Sequence, residues 1–475
     1  MKNYGLNPYL PSWEYVPDGE PHVFGERVYV YGSHDRFNGY NYCLNDYVCW
    51  SASVEDLTNW NYEGVIYSRH DDPENKDGKQ CLYAPDVTRG PDGRYYLYYA
   101  LDGTSQISVA VCETPAGRYQ FYGIVHHPHG IPLGAAEGDE FQFDPGVLTE
   151  GEHTYLYTGF SPVSVPGRSG ARVVVLGTDM LTVVKDAVTV VPSPHIAKST
   201  DFEGHAFFEA SSIRKVNGRY YFIYSSEQSH ELCYATSDSP VGLFTYGGTI
   251  VSNGDIGLTT NGKDSEQNLS FIGNNHGSIE EINGKWYVFY HRHTNGHNYS
   301  RQACLEPINI LPDGSIPQVE ISSCGPMGGP LSCDEEIPSY AACNLYLTEK
   351  PRINTRFGMS PFPRITQAGQ DETDPTIFRE NAYITNITSG VVIGFKYIDC
   401  KMVHRVCVQV RGQNYGGSFA ISTAPDAEPL GFIKLNSSNE WHWDSAELQI
   451  PDGIHALYFK LTGFGIIDFL SFKLV

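Results

Sequence analysis

Four carboxyl groups and one imidazole recur at a near-constant distance ahead of an aromatic run. Asp18, Asp86 and Asp144 each stand 13 residues before a tyrosine (Tyr31, Tyr99 and Tyr157), Glu209 stands 15 before Tyr224, and His276 stands 14 before Tyr290. Carboxyl groups gathered in one confined site repel. That repulsion drives their pKa values apart and separates an acid from a base. Each residue also has a plainer reading. Asp18 before Gly19 can form a turn, Asp86 after Pro85 can open a strand, and His276 can be a buried histidine bonded to backbone. A spacing repeated five times favours one convergent site.

The elements that must position these groups are hairpins. Five turns (Gly25-Glu26, Asp92-Gly93, Gly151-Glu152, Asn217-Gly218 and Asn283-Gly284) precede the aromatic strands RVYVYGS, RYYLYYA, HTYLYTG, RYYFIYS and KWYVFYH. Asn-Gly and Asp-Gly beside such runs are strong hairpin signals. The turns step along the chain by 67, 59, 66 and 66 residues, enough for about four short strands each, which is one propeller blade. TPAGRYQFYG and SPVGLFTYGG match each other, a second sign of repetition. Equivalent residues of successive blades are related by rotation about the axis, so the five groups are expected to meet at one end of it. Residues 1–14 read as an arm able to close the ring. The fold class is all-β: a five-bladed β-propeller over 1–325, a Gly/Pro/Ser-rich linker over 326–344, and a β-sandwich of jelly-roll type over 345–475 built from runs such as VVIGFKYI, ALYFKL and FLSFKLV.

Composition bounds the partners. A chain of 475 residues calls for two domains, and 48 Gly, 29 Pro and 33 Tyr suit turn-rich β structure. A net charge of −23 excludes nucleic acid and anionic membranes as partners and favours a neutral or cationic substrate. Oligomeric state is not written in the sequence. The 11 cysteines lack C-x-x-C spacing, which points to reduced thiols, and MKNYGLNPYLPSWEY holds no apolar signal segment, so a cytoplasmic protein is expected. No nucleotide-binding or H-E-x-x-H motif occurs.

With these residues placed, the first two-thirds of the chain resembles glycoside hydrolase family 43, five-bladed propellers that are mostly inverting α-L-arabinofuranosidases and β-xylosidases. The end resembles a carbohydrate-binding module of the family 6 type, chiefly in SSNEWHWDSAELQIPDGIHALYFKLTGFGIIDF. The resemblance implies that Asp18 in PDGEPHVF is the general base, that Asp144 in FQFDPGVL tunes and orients the acid, and that Glu209 in FFEASSIRK is the general acid. It implies that Arg301 in YSRQACLEPI contacts sugar, and that His276 in GNNHGSI lies near an axial calcium ion, structural rather than required, as an indirect metal neighbour. Asp86 and His276 share the register and are expected to contact substrate. One departure is visible: the base is commonly followed by Pro, whereas Gly19-Glu20-Pro21 follows Asp18, which brings Glu20 into consideration.

Trp13, Phe24 and Tyr83 are candidate stacking platforms. His291-Arg292-His293 shows no metal-ligand spacing, and Trp441 and Trp443 alternate onto one face of a strand, where they could bind sugar or cover a core. The expected function is an inverting exo-glycoside hydrolase that releases pentose from plant-derived oligosaccharides. α-L-Arabinofuranosidase is the leading reading, and β-xylosidase or a bifunctional enzyme the alternative. A non-catalytic sugar-binding propeller is the rival from another class, but it has no use for three convergent carboxylates.

Overall fold

The computed structural model describes residues 5–348, 362–368 and 382–475. Five blades surround one axis. Their innermost strands are Glu20–Phe24, Leu82–Arg89, Gly146–Glu150, Phe207–Val216 and Ser278–Ile282. Blades one to four are four-stranded antiparallel sheets in chain order, and blade five contributes three strands. Asn217 and Gly218 (φ 50° and 87°) and Asn283 and Gly284 (φ 51° and 73°) turn the fourth and fifth inner hairpins, the left-handed pair that a two-residue hairpin needs.

The aromatic strands are apolar on both faces because each sits between two cores. Tyr98 packs towards blade three with Leu156 and Val174, while Tyr99 packs towards blade one with Tyr31 and Tyr67. Phe222 and Tyr224 join Tyr157, and Ile223 between them joins Val288 and Tyr290. Phe289 and Leu305 complete the ring against Val30 and Trp50. The ring is closed by the N-terminal arm. Tyr9 N–H donates to Ala303 O at 3.1 Å, and the Asn7 side chain bonds Leu305 through both its amide groups, at 2.9 and 3.0 Å.

The β-sandwich takes the form of a ten-stranded sheet curled around one core that includes Phe395, Val408, Phe419, Phe459, Phe469 and Phe472. The segment 326–344, expected to be a linker, is part of that domain. Leu331–Ser332 pairs with Val391–Cys400, Ile337–Pro338 pairs with Gly453–Leu474, and Leu331, Cys333 and Ile337 are buried in the core. Gly328, Gly329 and Pro330 lead the chain into the first of these strands, and Pro338 ends the second. The two domains are docked through buried polar bonds, among them Lys396 Nζ to Asp255 Oδ2 at 2.7 Å. The 11 cysteines form no disulfide, and no helix among the described residues is long and apolar enough to cross a membrane.

Candidate active site

A cleft of about 610 Å³ opens where the innermost strands begin. Asp18, Asp144, Glu209, His276 and Arg301 all line it. Asp18, Asp144 and His276 each stand two residues ahead of their strand, and the two aspartates adopt left-handed backbone (φ 58° and 44°), a conformation Asp tolerates better than most residues. Glu209 lies within its strand, but the register slips on both sides of it and Ala210 has φ 70°. This bulge aims the Glu209 side chain into the cleft.

The carboxyl groups differ in their partners. Asp18 Oδ1 accepts from Arg301 Nη1 at 2.9 Å, and the Asp18 N–H donates to His291 Nδ1 at 3.2 Å. Burial would raise its pKa, but the Arg301 guanidinium beside it holds it well below the ordinary carboxylate range. Glu209 has no such cation bonded to it. Burial, then the charge of Asp18, pushes it up to about 7. Asp144 is raised by burial, Glu209 and Asp18, while the Ala210 N–H donates to its Oδ2 at 3.2 Å. His276 Nδ1 lies 3.6 Å from Asp144 Oδ2, and burial lowers its pKa to about 4, so the ring is neutral. The arrangement gives an ionised carboxylate and a protonated carboxyl group in one pocket, as acid–base hydrolysis requires.

Arg301 touches Asp18 and is held in turn by Asp35. Its Nε and Nη2 donate to the two Asp35 oxygens at 2.8 and 3.0 Å. Asp35 lies 266 positions away, in the loop four residues beyond the strand Arg27–Tyr31, and no local spacing in the sequence signals it. Asp86 is a correction. It is fully buried outside the cleft, bonded to His22 Nε2 and to the N–H groups of Val87 and Val147, all at 2.7 Å. Its strand is followed by the turn 90–94, where blades one and three use two residues. The longer turn takes up part of the constant spacing, so Asp86 lies opposite Tyr98, deeper along the axis.

Of the stacking candidates, Tyr83 lines the cleft, whereas Trp13 and Phe24 do not. Phe24 is at the far end of its strand, edge-on to Tyr95. The aromatic wall that sequence reasoning missed is Phe141, Phe143, Phe160 and Phe208, linked by ring contacts of 5.3 to 6.1 Å. Below the cleft, Glu20, His22 and Asp86 bring their ligand atoms within 4.8 Å of one another. Glu20 Oε1 is buried without a hydrogen-bond partner, 4.0 Å from His276 Nε2, and Glu20 Oε2 is bonded to Arg214 Nη2 at 3.1 Å.

Residues 15–316 match the family described as Glycosyl hydrolases family 43. The chain is 56% identical over 477 residues to a protein named xylosidase/arabinosidase from Thermoclostridium stercorarium, an alignment covering 100% of this chain and 99% of the relative. It is 31% identical over 320 residues to a xylosidase/arabinosidase of Bacteroides ovatus, covering 60% and 87% of the two chains. The crystal structure of an arabinoxylan arabinofuranohydrolase from Bacillus subtilis, in complex with cellotetraose, superposes with a TM-score of 0.53 at 23% identity, covering 100% of this chain and 98% of the other. At that identity the likeness concerns the fold alone.

Proposed function

The chain belongs to glycosyl hydrolase family 43, and we propose that it is an inverting, exo-acting glycosidase that releases single pentose units from oligosaccharides. The observation that carries this reading is the unequal pairing of two carboxyl groups in one cleft: Asp18 is bonded to Arg301 at 2.9 Å, whereas Glu209 is buried with no cation bonded to it. In this reading Asp18 accepts a proton from the attacking water and Glu209 gives one to the leaving oxygen. Asp144 accepts the Ala210 N–H and so orients the acid at the Glu209 bulge, while burial and the charge of Asp18 keep Glu209 protonated. Arg301 keeps Asp18 ionised, and its contact with sugar is the second part of its role. His276, neutral between Asp18, Asp144 and Glu20, spaces the carboxyl groups.

α-L-Arabinofuranosides lead as substrates and β-xylosides follow. The names of the similar proteins from Thermoclostridium stercorarium and Bacteroides ovatus support both sugars. The aromatic wall of Tyr83, Phe141, Phe143, Phe160 and Phe208 suits the apolar face of a neutral sugar. A structural calcium ion on the axis is proposed with it. The residues that would hold it are Glu20 and Asp86, oxygen donors of the kind this ion takes, with His276 reaching it through water. Its charge would offset the burial that pushes Glu20 up to about 8.

The test is turnover of a panel of p-nitrophenyl pentosides and hexosides, with NMR of the first-formed sugar from the best substrate. Inverted anomeric configuration and preference for a pentoside are expected. Retained configuration would refute Asp18 as a base acting on water.

A further inference from the structure

The run His291-Arg292-His293 closes the central strand of blade five, and two of its members hold Asn274 on the cleft wall. His291 Nε2–H donates to the Asn274 carbonyl at 2.9 Å, and its Nδ1 accepts the Asp18 N–H. His293 Nε2 lies 3.0 Å from the side-chain oxygen of Asn274. Burial holds His293 neutral, so the ring carries one N–H, and a carbonyl oxygen as partner places it on Nε2. That bond fixes which way the Asn274 amide points. Asn274 and Glu209 line the cleft together, and the Asn274 side chain acts on Glu209 as a donor that draws its pKa down; with the oxygen held by His293 the NH2 group faces Glu209. The loop lies directly on the imidazole: a Cβ on Gly273 would stand 2.4 Å from His293 Nε2.

Behind His293 is a chamber of about 20 Å³, walled by Asn253, Ser270 and Arg292 from the propeller and by Leu345 and Ile365 from the C-terminal domain. His293 Nδ1 and Arg292 Nη1 are buried there without a hydrogen-bond partner. The chamber has room for one ordered water that accepts from Arg292 and donates to His293 Nδ1, which keeps the proton on Nε2.

Resting on the reading of Glu209 as the acid, we propose that His293 is a positioning residue of the catalytic apparatus: through Asn274 it directs an N–H at Glu209 that stabilises the negative charge appearing there as the proton leaves. The same strand end holds Asp18 through His291, so acid and base share one frame. The C-terminal domain completes that frame by closing the chamber.

The charged and titratable groups that face Glu209 are Asp18, Asp144, Arg301 and Tyr42, and none is altered in the test variants. Asn274→Ala and His293→Leu should each lower kcat on unactivated glycosides roughly tenfold, leave activated aryl glycosides within about twofold, and move the alkaline limb of the pH–rate profile up by about one unit, since a carboxylate loses a donor. The double variant should be no worse than Asn274→Ala. His293→Gln, whose amide can still donate to Asn274, should restore the profile. An unmoved limb in Asn274→Ala, or equal losses on both substrate types, would overturn the proposal. Asn274→Ala sits on the cleft wall and carries the test if His293→Leu fails to fold. Glu209→Ala run alongside separates the two readings: equal losses there sink the acid assignment and this inference together, whereas leaving-group dependence there with an unmoved limb in Asn274→Ala sinks only this one.

Discussion

Arg301 and Asp18 are 283 positions apart in the chain, yet Nη1 of one lies 2.9 Å from Oδ1 of the other. The rest of the guanidinium is spread against Asp35, and all three side chains are buried. Only a planar fork can meet both acids at once. Arg301→Lys should therefore keep the charge but release one carboxylate, lowering kcat/KM roughly 100-fold with a small change in fold. Asp35→Asn leaves the buried guanidinium with Asp18 as its remaining carboxylate partner and should destabilise the chain, seen as a lower melting temperature. Full activity in Arg301→Lys would show that Asp18 needs no fixed cation.

Glu209 gives a prediction of chemistry and one of stability. Glu209→Ala should lose about 10²–10⁴-fold on natural oligosaccharides and far less on aryl glycosides whose leaving group needs no proton. In the intact protein, activity should fall as pH rises through about 7, where Glu209 gives up its proton. The sign for stability follows. A carboxyl group whose pKa is raised on folding binds its proton more tightly in the folded state, so its contribution to stability weakens as pH rises from its unfolded value towards 7 and beyond. Glu209→Gln should thus melt higher than the parent at pH 8 and close to it at pH 4. A variant that melts lower at pH 8 would contradict the burial argument.

The part of this site legible in the sequence was what a constant spacing can carry. Asp18, Asp144, Glu209 and His276 stand in one register ahead of strands with short turns, and they meet in the cleft. Asp86 kept the spacing but not the height, because the turn that follows its strand is longer. Asp35 and the phenylalanine wall were not legible, since each works through contacts between distant loops that no period marks. The blades were legible for a physical reason: Tyr98 and Tyr99 face different cores, so their strand is apolar on both faces. The linker was misread because its Gly and Pro residues flank short strands that pair with the C-terminal sheet, as they do around Leu331 and Ile337.

The axial group of Glu20, His22 and Asp86 predicts a response to metal. If calcium is held there, exhaustive chelation should lower the melting temperature and added Ca²⁺ should restore it, since a ligand that binds only the folded state stabilises it. Glu20→Gln should abolish the response. Melting curves that overlay in chelator and in Ca²⁺ would remove the ion from the account and leave Arg214 as the resident cation of the axis.

The last prediction concerns why a propeller carries the second domain. Lys396 reaches out of the curled sheet to Asp255 and Glu320 of the propeller, at 2.7 and 3.2 Å, with only 1% of its side chain exposed. Around it the Arg292 guanidinium donates to the carbonyls of Ala342 and Cys343, and Leu269 packs among Tyr346, Val392 and Tyr458. These groups satisfy one another across the interface, so neither domain presents a finished surface alone. Lys396→Met leaves Asp255 charged and buried, which should cost about 3–5 kcal/mol and lower the melting temperature. Adding Asp255→Asn removes that charge and should recover part of the loss. Deleting residues 345–475 would expose Leu269 and the Arg292 guanidinium together, so the shortened chain should aggregate or melt far earlier, with activity lost on small and polymeric substrates alike. A shortened chain that stays soluble, melts with the parent and is impaired only on polymer would mean that the domain is a carbohydrate-binding module and that the buried bonds at its base are incidental to the propeller.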